Sequence, residues 1–228
     1  QKAGLYFVSV LCEVEEVKEA HVPEHDGIGI DLGINTFAVC SHHVQFDNIN
    51  KTRPVIKLEK SLKRQQRKLS RSYEQNKNRK RGDFCAKNRQ KQLLVVQKLH
   101  ARLANIRQDY IRYVVSVLVK TKPTYLTIED LNLKGMKKNR YLSRAIAKQN
   151  FSAFREMLTD KCLEKGIELR LVDRWYPSSK LCSTCGVKKT TLSLSERTFS
   201  CDNCDTVLDR DFNASLNLKY AKEYTIIT

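Results

Sequence analysis

The chain has 228 residues, 41% of them apolar, and carries 42 Lys and Arg against 25 Asp and Glu, a net charge of +17. That length allows one large domain, or one domain with a small satellite, and the apolar fraction supports a real core rather than a disordered tail. No window approaches the ~20 consecutive apolar residues of a membrane span and no signal peptide opens the sequence, so a cytoplasmic location (nucleoid-associated in a prokaryote) and no membrane partner are expected. The positive excess excludes an acidic-surface protein and points to a polyanion, nucleic acid first of all. Because the sequence opens with Gln1 rather than Met, it reads as a processed or partial chain.

In chain order, residues 5–14 alternate as a strand should, with Tyr6, Val8, Val10, Cys12 and Val14 on one face. An acidic turn region from Glu15 to Asp26 follows. Gly27-Ile28-Gly29-Ile30-Asp31-Leu32-Gly33 then places Ile28, Ile30 and Leu32 on one face and Gly29, Asp31 and Gly33 on the other. A carboxylate between glycines on an apolar strand suits the close approach of a metal or a phosphate backbone. Thr36–Ser41 is expected to return as the next strand.

Segment 57–122 holds twenty Lys or Arg against four acids, so one stretch carries nearly the whole charge excess. It lacks proline, and Leu99, Leu103, Ile106, Tyr110, Val114 and Val117 recur at helical spacing. Gly82-Asp83 is the natural break between two helices. The first, about 58–80, is poor in apolar residues and rich in arginine. It reads either as a solvated face or as a helix laid against phosphates, where counterion release makes binding salt-dependent.

Tyr125–Leu131 is a second apolar strand ending in acids, Phe151–Lys165 a helix stopped by Gly166, and Ile167–Val172 a third strand. The last helix runs from about Asp209 to Glu223. Strands followed by alternating strand and helix predict an α/β fold with a mixed sheet.

Cys182-Ser-Thr-Cys185 and Cys201-Asp-Asn-Cys204 are the two C-x-x-C knuckles that bring four thiolates around one zinc. A redox site needs only one such pair, and disulfides do not suit a reducing compartment. A closed four-cysteine site leaves no position for water, so this zinc is expected to be structural. Cys12, Cys40, Cys85 and Cys162 read as packing or surface cysteines. The five histidines, His42-His43 included, show no ligand spacing and read as surface residues.

Three acids, Asp31, Glu129 and either Asp209 or Asp211, lie far apart in sequence, each at a strand end or helix start. Hard carboxylate oxygens of this kind bind Mg²⁺ or Mn²⁺ for phosphodiester cleavage, two ions ~3.5–4 Å apart serving the attacking and leaving oxygens. Each acid also has a structural alternative. Asp31 suits a turn, and Glu129 or Asp130 could pair with an insertion lysine. Asp209 suits the N-cap of the last helix, which leaves Asp211 in the first turn as the ligand.

These residues resemble a known family. Gly27–Gly33, Thr127-Ile128-Glu129-Asp130-Leu131 and Asp209-Arg210-Asp211-Phe212-Asn213-Ala214-Ser215 resemble the three RuvC motifs of the transposon-encoded TnpB proteins, relatives of the type V CRISPR effector nucleases. Trp175-Tyr176-Pro177-Ser178-Ser179-Lys180-Leu181-Cys182-Ser183-Thr184-Cys185-Gly186 is similar to the lead-in to their zinc ribbon. The resemblance implies an RNase H-like (RuvC) mixed sheet with a basic helical insertion and a Cys₄ zinc ribbon. It implies an RNA-guided DNA endonuclease with a guide RNA and a target DNA as partners, a structural zinc, and catalytic Mg or Mn held by Asp31, Glu129 and Asp211. Asn213 is expected to orient Asp211 or a water at the metal. Arg64, Arg67 and Arg71 belong to a bridge-like helix along the guide–target duplex. Arg174 and Lys180 are phosphate contacts or ordinary surface charges.

The implied domains are the end of a wedge-like β region (1–26), RuvC part I (27–56), the basic insertion (57–122), RuvC part II (123–176), the ribbon (177–207) and RuvC part III (208–228), with loop 132–150 in the place of the lid. Family members carry an N-terminal wedge and recognition region, and this sequence is expected to begin in its last strand. Two rival readings are an RNase H-like transposase or junction resolvase acting without RNA, which co-purifying RNA would oppose, and a nuclease-inactive DNA-binding repressor. Intact Asp31, Glu129 and Asp211 oppose the second.

Overall fold

Ile28–Leu32 forms strand β1 of the protein, whose structure, a computed structural model, describes residues 3–13, 21–75, 77, 87–193 and 195–227. β2 (Thr36–Cys40) and β3 (Gln45–Asp47) return antiparallel from β1. After helices α1 (Arg53–Gln75) and α2 (Lys87–Lys120), β4 (Tyr125–Glu129) pairs parallel with β1. Short helices α3 (Leu133–Lys138) and α4 (Ser143–Gln149) and the longer α5 (Phe151–Lys165) lead to β5 (Glu168–Val172), parallel to β4. A hairpin of β6 (Thr198–Ser200) and β7 (Val207–Asp209) runs into α6 (Arg210–Lys219), and β8 (Thr225–Ile226) closes the sheet antiparallel to β5. The order β3-β2-β1-β4-β5-β8 is mixed, as the alternation of strands and helices predicts.

The chain divides into two compact units, residues 1–16 with 49–110 and residues 17–48 with 111–228. In the first, α1 buries little beyond Val55 and Leu69. Side-chain cross-links make up for its thin apolar face. Arg107 donates to Asn50 at 2.8 Å and to Glu59 at 2.7 Å, and Gln92 donates to Gln65 at 2.8 Å.

In the second unit the core gathers Ile28, Ile30, Phe37, Leu126, Ile128, Phe154, Leu158 and Leu169. Phe154 of α5 meets the Phe37 ring edge-on at 5.5 Å. Gly166 ends α5 in the left-handed conformation (φ 67°), which glycine adopts without strain. α6 rests on β1 with nothing between them. A Cβ added at Gly29 would stand 2.0 Å from the Ser215 carbonyl oxygen and 2.4 Å from the Lys219 nitrogen, so only glycine permits the approach.

Three expectations change. Residues 6–13 form no strand, and Tyr6, Phe7, Val8, Val10 and Leu11 are exposed. Alternation marks a face but supplies no neighbouring edge to bond with. Segment 132–150 is not a loop. Asn132 caps α3 by accepting the Gly135 N–H at 2.9 Å, and α4 buries Ile146 and Gln149. Helices of six and seven residues are too short to display a period. The last helix ends at Lys219 rather than near Glu223. The Gly82-Asp83 break, Cys85, Val14 and residues 15–20 of the acidic turn lie outside the described residues. No described helix is long and apolar enough to cross a membrane.

Candidate active site and metal centre

Register places the first two acids. Ile30 of β1 pairs with Ile128 of the parallel β4, so Asp31 and Glu129, each one residue further, leave the sheet at the same carboxyl end. The third comes from α6. Gly29 and Asp31 share a face of β1, and Ser215 on that face lies one helical turn after Asp211. The seat of α6 on Gly29 thus aims Asp211 towards Asp31. Asp209 is the N-cap, as its sequence position predicts: its Oδ1 accepts the N–H groups of Asp211 (3.0 Å) and Phe212 (2.9 Å).

The electrostatics record this convergence. Asp31 keeps some contact with solvent, yet desolvation by the surrounding protein, then the Asp211 and Glu129 charges, push its carboxyl up to about 8. Burial, then Asp130 and Asp173, push Glu129 up to about 7. Asp211 is held by two guanidinium groups, Arg210 at 3.2 Å and Arg197 at 3.4 Å. Asp130 is held by Arg155 at 2.9 Å and by Arg174. Carboxyl groups that crowd one sheet end and raise one another's proton affinity offer oxygen ligands that suit a divalent cation. The three acids are nevertheless not drawn within 4.8 Å of one another, as the four cysteines are.

The second centre is tighter. Sγ of Cys182 and Cys204 lie 3.6 Å apart, as do those of Cys185 and Cys201. Thiolates at tetrahedral corners ~2.3 Å from a zinc would stand ~3.8 Å apart, so the spacing fits that ion. Burial raises the Cys182 thiol, but the N–H groups of Cys185 and Thr184 with the Cys204 and Cys185 thiols outweigh it and bring it down to about 6, while Cys201 in the same cluster is pushed up to about 11. A thiol poised as thiolate is ready to bind a cation. Phe199 is buried with Cys182 and Cys201 in one small cluster, and the Cys182 N–H donates to Val187 O at 3.0 Å.

Asn213 does not orient Asp211. Its Nδ2 donates to Leu181 O at 2.7 Å and its Oδ1 accepts the Ser183 N–H at 3.0 Å. One turn on, Asn217 donates to the carbonyls of Ser178 (2.8 Å) and Leu181 (2.7 Å). Both asparagines thus spend their amides on main-chain groups at the entry to the cysteine loop. Arg64, Arg67 and Arg71 are exposed and, with Gln65 and Lys68, line one groove of about 380 Å³ on α1. Arg174 is drawn to Asp130, and Lys180 is half-buried in the turn before Cys182.

The histidine pair is not simply surface. His42 is half-buried, burial lowers its pKa, and its Nδ1 has no hydrogen-bond partner among the described residues. The His43 ring stacks on Phe212 of α6 at 4.4 Å, because the β2–β3 turn lies against that helix. Arg197 and Arg210 went unassigned in the sequence. Arg210 stands beside Asp211 in the motif, whereas nothing in the sequence flags Arg197.

Residues 9–140 match the family OrfB_IS605, described as a probable transposase, and residues 151–218 match the Cas12f1-like TNB domain. A Streptomyces pristinaespiralis protein named as an RNA-guided DNA endonuclease is 37% identical over 217 residues, 95% of this chain and 50% of that protein. InsQ of Escherichia coli K12, named likewise, is 29% identical over 96% of this chain and 54% of its own length. The chain thus spans about half the length of these relatives. In a solved CRISPR-Cas12f ternary complex, one chain shares the fold with a TM-score of 0.62 at 22% identity, over 93% of this chain and 42% of that one. With the OrfB_IS605 match covering more than half of its residues, the chain belongs to the TnpB family of transposon-encoded proteins.

Proposed function

We propose that this chain carries the nuclease part of an RNA-guided DNA endonuclease, with an RNase H-like (RuvC) sheet as its scaffold. The reading rests chiefly on one observation: Asp211 and Glu129, brought from distant segments, both raise the Asp31 carboxyl. Asp31, Glu129 and Asp211 would hold Mg²⁺ or Mn²⁺. When bound, such ions polarise the phosphodiester and stabilise the charge on the leaving oxygen.

The remaining work belongs to the chain itself. The three carboxylates, once deprotonated, offer oxygen ligands on two strands and a helix that are rigidly packed together. Arg197 and Arg210 neutralise Asp211, and were that carboxylate to hold a cation, the two guanidinium groups would be placed to bind a phosphate. The α1 arginines hold a nucleic-acid backbone, and base pairing between guide RNA and target supplies sequence choice. The four cysteines would hold zinc, and Asn213 and Asn217 tie the loop that leads into them to α6. By this reading the domains are the RuvC parts, basic insertion and ribbon implied by the motifs.

The test is cleavage of a guide-matched DNA with Mg²⁺ added or withheld. The reading expects cutting by the wild-type chain with its guide and none by Asp211→Ala. Undiminished cutting by that variant, or none by the wild type, rejects it.

A further inference from the structure

Trp175 is the sole tryptophan of the chain, and it is 83% exposed. Tryptophan is highly buried on average, and this one instead presents most of its large flat face to solvent. Its position is set by the sheet. Glu129 pairs with Val172 at the carboxyl ends of β4 and β5, so the turn 173–176 leaves the sheet at the end that carries Asp31 and Glu129.

That turn is pinned. The Asp130 N–H donates to Val172 O at 2.8 Å, and Arg174 reaches back to the Asp130 carboxylate. The Trp175 N–H donates to Asp173 Oδ1 at 2.8 Å, and the Tyr176 N–H to Asp173 O at 3.0 Å. The Tyr176 hydroxyl donates to Asn217 O of α6 at 3.2 Å. The main chain is fixed on both sides while the indole stacks on no aromatic ring or cation among the described residues. A rigid base under a free aromatic face is the form of a stacking platform. Arginine flanks it in sequence, the aromatic–cationic combination that single-stranded nucleic acids use.

We propose that Trp175 stacks on a nucleobase of the single strand entering the carboxylate site and so positions the phosphodiester to be cut. The proposal deepens the nuclease reading and rests on it. A base face suits the indole better than a protein surface would, because the residues framing it in the turn, Asp173 and Arg174, are charged rather than apolar. Stacking is sequence-tolerant, since every base has a π-face, and this matches an enzyme whose sequence choice lies elsewhere.

The single indole makes a direct test possible. A short oligothymidylate titrated with Mg²⁺ into the full chain bearing Asp31→Asn should quench the tryptophan emission saturably. An abasic strand of equal length should bind without quenching. Trp175→Ala should weaken oligothymidylate binding about tenfold or more, read by anisotropy, and Trp175→Phe should restore most of it. In the wild-type background the alanine variant should raise KM for cleavage more than it lowers kcat. Unchanged emission when DNA is bound, or wild-type affinity in Trp175→Ala, overturns the proposal. So does an emission shift that follows chain concentration instead of DNA, which assigns the indole to a protein contact. Quenching without any cleavage by the wild-type chain would strike the nuclease reading and leave the stacking standing.

Discussion

The Asp209 carboxylate accepts the Asp211 N–H at 3.0 Å, so one acid of the motif serves the helix end while the other is paired with Arg197 and Arg210 instead. The two substitutions should therefore separate. Asp209→Ala removes a cap and should cost about 0.5–2 kcal/mol, seen in thermal unfolding, with cleavage retained. Asp211→Ala should leave thermal stability close to wild type and abolish cleavage.

Stability should depend on pH in a set direction. Asp31 and Glu129 keep their protons to about 8 and about 7 when folded, against ordinary values of 3.8 and 4.5. A carboxyl with a raised folded pKa favours the fold at acid pH, and that contribution is lost as pH climbs through the window from 3.8 to about 8. Without added divalent cation, the melting temperature should fall across that window. Asp31→Asn should flatten the fall, and Mg²⁺ should restore most stability at its alkaline end. A flat profile in the wild-type chain would contradict the crowding of the acids.

If the four cysteines hold zinc as proposed, its loss should be felt in α6. Cys201→Ser should lower bound zinc, measured by metal analysis, and lower the melting temperature. Asn213→Ala leaves the Ser183 N–H without its acceptor and should cost about 1–3 kcal/mol while zinc stays bound. Loss of Mg²⁺ affinity in the cysteine variant, read by calorimetry, would register the link from ribbon to Asp211.

The α1 arginines should act through salt. Arg64, Arg67 and Arg71 share one exposed groove. Each neutral replacement should lower the slope of log affinity against log salt by ~0.7–0.9, nearly equally for matched and unmatched DNA. A sequence-dependent effect would argue for base readout instead.

Much of the site was legible because its residues break local rules. A carboxylate on an apolar glycine strand, an acid at a helix cap and paired C-x-x-C knuckles each need a reason that packing does not supply. The helix 151–165 was legible because four turns display a period and Gly166 ends them. What escaped depended on partners far away in sequence. Asn213 has two ribbon main-chain groups as partners, Arg197 finds Asp211 only once the β6–β7 hairpin folds, and residues 6–13 alternate without a ladder to join.

Main chain bears on main chain where Ser215 and Lys219 cross Gly29. The gap between the strand bearing Asp31 and the helix bearing Asp211 is therefore a hard stop, set by atoms common to every amino acid. Apolar side chains elsewhere can drift in volume over evolutionary time without retuning it. Enlargement at this one position is the change such a lineage could not absorb.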